Sequence, residues 1–229
     1  MKRSLLIRVT IQLAVTLGVV TAAFFVSAGT LNWPAAWICL GYRLSVSVLT
    51  VYGGPLKLSP GLIEERSTTK TPGAQGWDKL FVVIVSVATF LIHVVASLDH
   101  RWKWTQPMPG WVMWAGLLAV ILSSALMIWA MKVNPFFSSI VRLQTDRGHH
   151  VVTTGRYRFV RHPGYTAGLL MNLGLPLLLG SLWALIPSSA VSLDLIIRIV
   201  PEERFLHREL EGYAQYAKRV RWRLVPGVW

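Results

Sequence analysis

Apolar residues in this chain are gathered into long blocks, without the strand period of two or a one-sided helical stripe. A hydrocarbon core of about 30 Å takes about 20 helical residues to cross. Four blocks meet that length: Val9 to Ala28, Trp33 to Tyr52, Leu80 to Leu98 and Trp111 to Met131. Two shorter runs follow, Tyr165 to Leu179 and Leu182 to Val200, divided by Gly180-Ser181. Each is short for a full crossing, and together they predict a tilted helical hairpin. The expected fold is therefore all-α: a polytopic membrane helix bundle of about six membrane-embedded helices. It divides into a four-span region, residues 1–131, and a C-terminal region, 132–229, holding a polar loop, the hairpin and a polar tail. The 53–79 connection has turn formers at both ends and predicts a short interfacial helix from Pro60 to Arg66.

The first block has a rival reading. Lys2, Arg3, an apolar run and Val26-Ser27-Ala28 resemble a signal peptide with a small-residue cleavage site, but the run has full membrane length. A retained span is the expectation.

Composition removes the soluble classes. Hydrophobic residues make up 53% of the chain and charged residues 14%, against about 25% charged in soluble domains. The net charge of +13 would suit nucleic-acid binding only as a basic face on a soluble fold, whereas here the cations sit between apolar blocks. With the N-terminus placed in the cytoplasm, every Lys and Arg except Arg43, Arg101 and Lys103 falls on the inner side or in the tail. The charge is thus a topology signal, and it also suits anionic lipid headgroups. Trp33, Trp77, Trp102, Trp104, Trp111, Trp129 and Trp183 lie near span ends, as an interfacial belt requires. Cys39, the single cysteine, excludes an intrachain disulfide and a Cys-rich metal site.

Two polar constellations converge on the inner face. The first runs from Gln144 through His149, His150, Val151 and Val152 to Gly155-Arg156-Tyr157, then Arg161-His162-Pro163-Gly164-Tyr165. Pro163 suits the first turn of a helix, and the free N–H groups there favour an anion beside Arg161 and His162. A basic juxtamembrane loop ahead of a helix is the plainer reading of the same residues. The second constellation is Asp194, Arg198 and Glu202, spaced along one helical face. A ladder of intrahelical ion pairs would explain it in part, although a carboxylate as deep as Asp194 is costly and usually functional. Pro201 should kink that helix beside Glu202-Glu203.

Together with Tyr213, Tyr216 and Arg223-Leu224-Val225-Pro226, the segment from Gln144 to Pro226 resembles the isoprenylcysteine carboxyl methyltransferase family of integral-membrane enzymes, relatives of the phospholipid N-methyltransferases. The resemblance rests on order and spacing, and covers roughly the C-terminal third. Pro60 to Arg66 and Trp77-Asp78-Lys79 resemble prokaryotic members, which implies a prokaryotic inner (plasma) membrane; the Lys and Arg asymmetry then predicts both termini and the active site on its cytoplasmic side. The likeness implies S-adenosylmethionine held by Gln144, His149, His150, Val151, Val152, Tyr157, His162, Pro163, Gly164, Tyr165, Glu202 and Glu203. It implies Arg198 facing the acceptor, with Arg161 as a second cation. Gly164 stands where a bulkier residue is common, which would leave the pocket more open.

The residue types fit that chemistry. A carboxylate acceptor is ionised at neutral pH and needs no base, but it needs a cation to orient it, and an arginine fork suits that. An amine acceptor would need Glu203 as its base. The leading expectation is therefore carboxyl O-methylation of a lipophilic, isoprenylcysteine-like acid. The alternatives are N-methylation of a phospholipid or amine, a NADPH-dependent membrane reductase of similar fold, and a transporter. No resident metal or nucleic-acid partner is expected. Arg43, in mid-span, reads first as a partner for Asp194, and His93 and Cys39 as packing residues.

Overall fold

A computed structural model describes residues 3–53, 56–68 and 73–229; Lys2 and Lys70 of the charge asymmetry lie outside them. The four long blocks are helices α1 (Arg3–Ala28), α2 (Pro34–Tyr52), α4 (Gly76–Trp102) and α5 (Gly110–Val133), each long and apolar enough to cross a membrane. α3 (Pro60–Ser67) is the short helix foreseen in the second connection, capped by the Ser59 hydroxyl accepting from the Leu62 N–H. α6 (Pro163–Leu179) and α7 (Leu185–Glu209) form the hairpin, and α8 (Tyr213–Arg219) closes the tail. Among the described residues there is no strand, only a bridge between Val160 and Trp222. The protein is a multi-pass helical membrane bundle.

α7 runs nine residues past the apolar block that ends at Val200, so Pro201 lies inside it and Glu202 shares its helix with Asp194 and Arg198. Proline removes a hydrogen bond to the preceding turn. The turns beyond it are nevertheless held, since Phe205 is buried and Glu203 is pinned by ion pairs from the loop and tail.

α5 packs along α6, and α4 lies between α1 and α7. Their shared core joins Phe24, Ala36, Ile92, Val120, Leu178, Ala184 and Val191. The α5–α6 crossing is backbone on backbone: a Cβ on Gly116 would sit 2.8 Å from the Gly174 carbonyl oxygen, and one on Gly174 2.9 Å from the Gly116 oxygen. Close approach through small residues is how membrane helices associate without a hydrophobic driving force. Gly116→Val is therefore expected to cost about 1–3 kcal/mol by overpacking, read as a lower melting temperature in detergent. Gly18→Val, with nothing within 4 Å, should leave it unchanged.

At the end away from the polar loop, Asp99 fastens α4 to the hairpin turn. It accepts from the Thr105 N–H at 2.7 Å, the Thr105 hydroxyl at 2.6 Å and the Ser181 hydroxyl. The opposite ends of α4, α5, α6 and α7 converge on the polar segments, where a pocket forms.

The deep polar residues are not arranged as expected. Arg43 forms no ion pair with Asp194, whose Oδ2 is buried without a partner among the described residues. Arg43 instead lies in the electrostatic range of Cys39 and His93. The His93 Nδ1 bonds the Thr89 carbonyl at 2.7 Å, and its ring meets Phe24, as suits a packing residue.

Candidate functional site

The pocket begins where α5 ends. Asn134 stops the helix and uses its side chain twice, accepting from the Phe136 N–H at 2.9 Å and donating to the Tyr157 hydroxyl at 3.2 Å. Phe136 then stacks on His149, with centroids 4.6 Å apart, and meets His150 edge-on at 4.9 Å. Gln144 holds this loop from behind. It is fully buried, donates to the Phe136 carbonyl at 2.7 Å and accepts from Arg147 at 2.6 Å. It does not line the pocket, whereas His149, His150, Val151 and Val152 do. The Gln144 N–H donates to Nδ1 of His149 at 3.3 Å. Burial, then the positive surroundings of His150, Arg142 and Arg147, pushes the His149 imidazole down to about 4. His149 is therefore neutral at physiological pH, with Nδ1 the acceptor and Nε2–H the remaining donor.

The next wall is the start of α6. Arg161 and His162 run beside the tail, their N–H groups donating to the carbonyls of Trp222 and Arg223 at 2.9 Å each. Their side chains turn inward onto Glu203. Arg161 forks onto both its oxygens, at 2.6 and 3.2 Å, and spends its remaining nitrogen on the carbonyls of Val220 and Arg221. The His162 Nε2 lies 3.1 Å from one Glu203 oxygen, and the Arg223 Nε donates to the other at 2.8 Å. Glu203 is thus the knot joining α7, the α6 start and the tail. It is not a lining residue.

Burial alone would raise the Glu203 carboxyl, but hydrogen bonds from His162, Arg161 and Arg223 outweigh it and hold the group well below the carboxylate range. A folded-state pKa below the unfolded value of about 4.3 gives stability that is fully present above that value. It is lost as pH falls towards the folded pKa. Melting temperature should be level from about pH 7 to 5 and drop below about pH 4. Glu203→Gln should flatten that acid limb.

Glu202, one residue earlier, points elsewhere. It lines the pocket, and the Tyr165 hydroxyl donates to its Oε2. Tyr165 in turn stacks flat on His162, with centroids 5.4 Å apart and planes 7° apart. His162 and Glu202 therefore share one wall through a single tyrosine. Pro163, Gly164 and Tyr157 also line the pocket. Gly164 does not leave it more open: a Cβ there would meet the Phe137 ring at 2.5 Å, because Phe137 already fills the space.

Arg198 lines the pocket without joining the foreseen ladder. Its partner is Asp78 in the first turn of α4, bonded at 2.7 Å to Nε and 2.9 Å to a terminal nitrogen, which also donates to the Ser139 carbonyl. Asp78 is fully buried, also accepts from the Val141 N–H at 2.7 Å, and sits where the helix dipole favours an anion. It ties three lengths of chain together, and sequence reasoning missed it. Arg142, another unforeseen lining residue, forks onto Glu65 of α3 at 2.7 and 2.9 Å. From the tail, Leu210, Tyr213 and Tyr216 complete the wall. Tyr216 donates to the Tyr157 carbonyl at 2.7 Å, while the buried Tyr213 hydroxyl has no partner among the described residues. Burial, then the negative charges of Glu203 and Glu202, raises the Tyr213 phenol above its ordinary value, so it stays protonated.

Residues 114–208 match the model of the isoprenylcysteine carboxyl methyltransferase (ICMT) family. A probable protein-S-isoprenylcysteine O-methyltransferase from Oryza sativa subsp. indica is 29% identical over 117 residues, 48% of this chain and 59% of the relative. Protein-S-isoprenylcysteine O-methyltransferase B from Arabidopsis thaliana is 25% identical over 146 residues, 60% of this chain and 68% of the relative. Protein-S-isoprenylcysteine O-methyltransferase from Schizosaccharomyces pombe is 36% identical over 86 residues, 37% of this chain and 36% of the relative. The chain thus spans little more than half the length of the rice relative it matches.

Proposed function

We propose that the protein is an integral-membrane methyltransferase, a reading supported by the match of residues 114–208 to the model of the isoprenylcysteine carboxyl methyltransferase family. In this reading it moves a methyl group from S-adenosylmethionine to the carboxylate of a lipophilic acceptor of isoprenylcysteine type. The observation that carries the reading is one pocket, between the start of α6 and the C-terminal half of α7, holding Glu202 and Arg198 one helical turn apart. An anion to hold a polyhydroxyl or ammonium group and a cation to hold a carboxylate stand side by side.

The residue set suits the donor. The Tyr213 hydroxyl is buried and unpartnered, one Glu202 oxygen takes its only hydrogen bond among the described residues from Tyr165, and His149, Phe136 and Val151 give flat and apolar wall. His149, His150, Val151, Val152, Tyr157, His162 to Tyr165 and Glu202 would hold it. Gln144 and Glu203 act from behind as positioning residues, and so does Arg161, whose guanidinium is committed to Glu203 and the tail. When bound, the donor supplies an electrophilic methyl group whose bond to sulfur breaks as a bond to the acceptor oxygen forms.

The rest is done by this chain's own groups. Arg198, held by Asp78 in a fixed plane, orients the acceptor carboxylate, and no base is needed because that group is already ionised. Positioning and exclusion of water are the main sources of rate in such a displacement. The asymmetry of Lys and Arg supports a pocket on the cytoplasmic face.

Membranes containing the chain, given S-adenosylmethionine labelled in the methyl group and a farnesylated cysteine acid, should yield label released as methanol by mild base. Base-stable label would indicate N-methylation. No label above empty membranes would overturn the assignment.

A further inference from the structure

Beyond the pocket, a second hollow lies at the same end of the bundle, lined by Trp77, Pro201, Arg204, His207 and Arg208. The spacing 204, 207, 208 puts the three basic groups on one face of α7, and all three are exposed. Neither Arg204 nor Arg208 takes part in any ion pair among the described residues. The nearest acids in sequence are turned away: Glu202 towards Tyr165, and Glu203 under Arg161. Glu209 and Glu211 are exposed beyond the hollow and pair with neither arginine.

What this face continues from is telling. Leu193, Ile197 and Val200 form an exposed apolar stripe on α7, and the next positions along it are Arg204 and then His207 and Arg208. α4, packed on α7, offers an exposed stripe of its own from Leu80, Val83, Ile84 and Val87. Trp77 crowns it, half-buried against Phe81, where indoles belong at the membrane surface. Acyl-chain surface therefore leads straight into unpaired positive charge.

We propose that the inner-end groove between α4 and α7 is a binding site for one anionic phospholipid. Arg204 and Arg208 grip its phosphate, His207 and Trp77 flank the headgroup, and the acyl chains lie along the two apolar stripes. Basic hollows between membrane helices recognise such headgroups, and like charges crowded on one helical face gain from a shared anion.

The test is native mass spectrometry of the full chain in detergent, titrated with phosphatidylglycerol, phosphatidylcholine of matched chains, or glycerol phosphate. Wild type should prefer phosphatidylglycerol, and Arg204→Gln/Arg208→Gln should reduce that preference about thirtyfold, about fivefold for each interfacial arginine. A control of equal charge change, Arg219→Gln/Arg221→Gln on the exposed tail, should keep it. No wild-type preference, an equal loss in the control, or glycerol phosphate binding as tightly as the lipid would overturn the proposal. The readout is independent of methyl transfer.

Discussion

Replacing Glu203 by alanine is expected to detach the tail and cost about 3–5 kcal/mol, because Arg161 is left as a buried, uncompensated charge. Two arginines and one imidazole converge on this carboxylate: Arg161 from the loop before α6, His162 at the α6 N-cap and Arg223 from the tail. Both Arg161 and Glu203 are buried, so water cannot replace the lost partner cheaply. The pocket wall formed by Leu210, Tyr213 and Tyr216 hangs from the same tail. Hydrogen exchange in Tyr213–Arg219 and in the Trp222–Leu224 segment should therefore rise together with the drop in melting temperature. Unchanged exchange there would show that the helix α8 packing, not the carboxylate, holds the tail.

Arg198→Lys should lower kcat/KM for the acceptor by about a hundredfold or more while leaving donor affinity within a factor of about three. Lysine keeps the charge and so avoids stranding Asp78, whose burial would make an uncharged replacement ambiguous between lost folding and lost chemistry. What lysine loses is the planar fork that bonds Asp78 at two points and the Ser139 carbonyl at a third. Asp78→Asn, which loosens the fork without removing it, should fall between wild type and Arg198→Lys in steady-state assays. A lysine variant with wild-type kcat/KM would remove Arg198 from the reaction.

The helices were legible because membrane crossing demands long apolar runs, and turns such as Gly180-Ser181 interrupt them visibly. His149 to Val152 and His162 to Tyr165 were legible as a motif, and they do line one pocket. The pairing of Arg198 with Asp78 was not. The two are 120 residues apart, and no local period links α4 to α7. The division of labour between Glu202 and Glu203 was equally hidden: neighbours on a helix point about 100° apart, so one faces the pocket and the other the knot beneath it. Gln144 shows the same limit, since burial behind Phe136 depends on a loop held by side-chain bonds that no periodicity announces. Asp194 and Arg43, placed together by the rule that deep charges pair, sit apart because the helices carrying them turn those faces to different neighbours.

In the proposed enzyme the pocket beside Tyr165 binds the methyl donor through Glu202. Calorimetric titration of S-adenosylmethionine into purified wild type and Glu202→Ala tests it most directly. The account predicts binding to wild type, and affinity lower by about ten- to a hundredfold in the variant, the loss of one or two hydrogen bonds to a charged group. Equal affinity in the two proteins, with the variant folded, would contradict it.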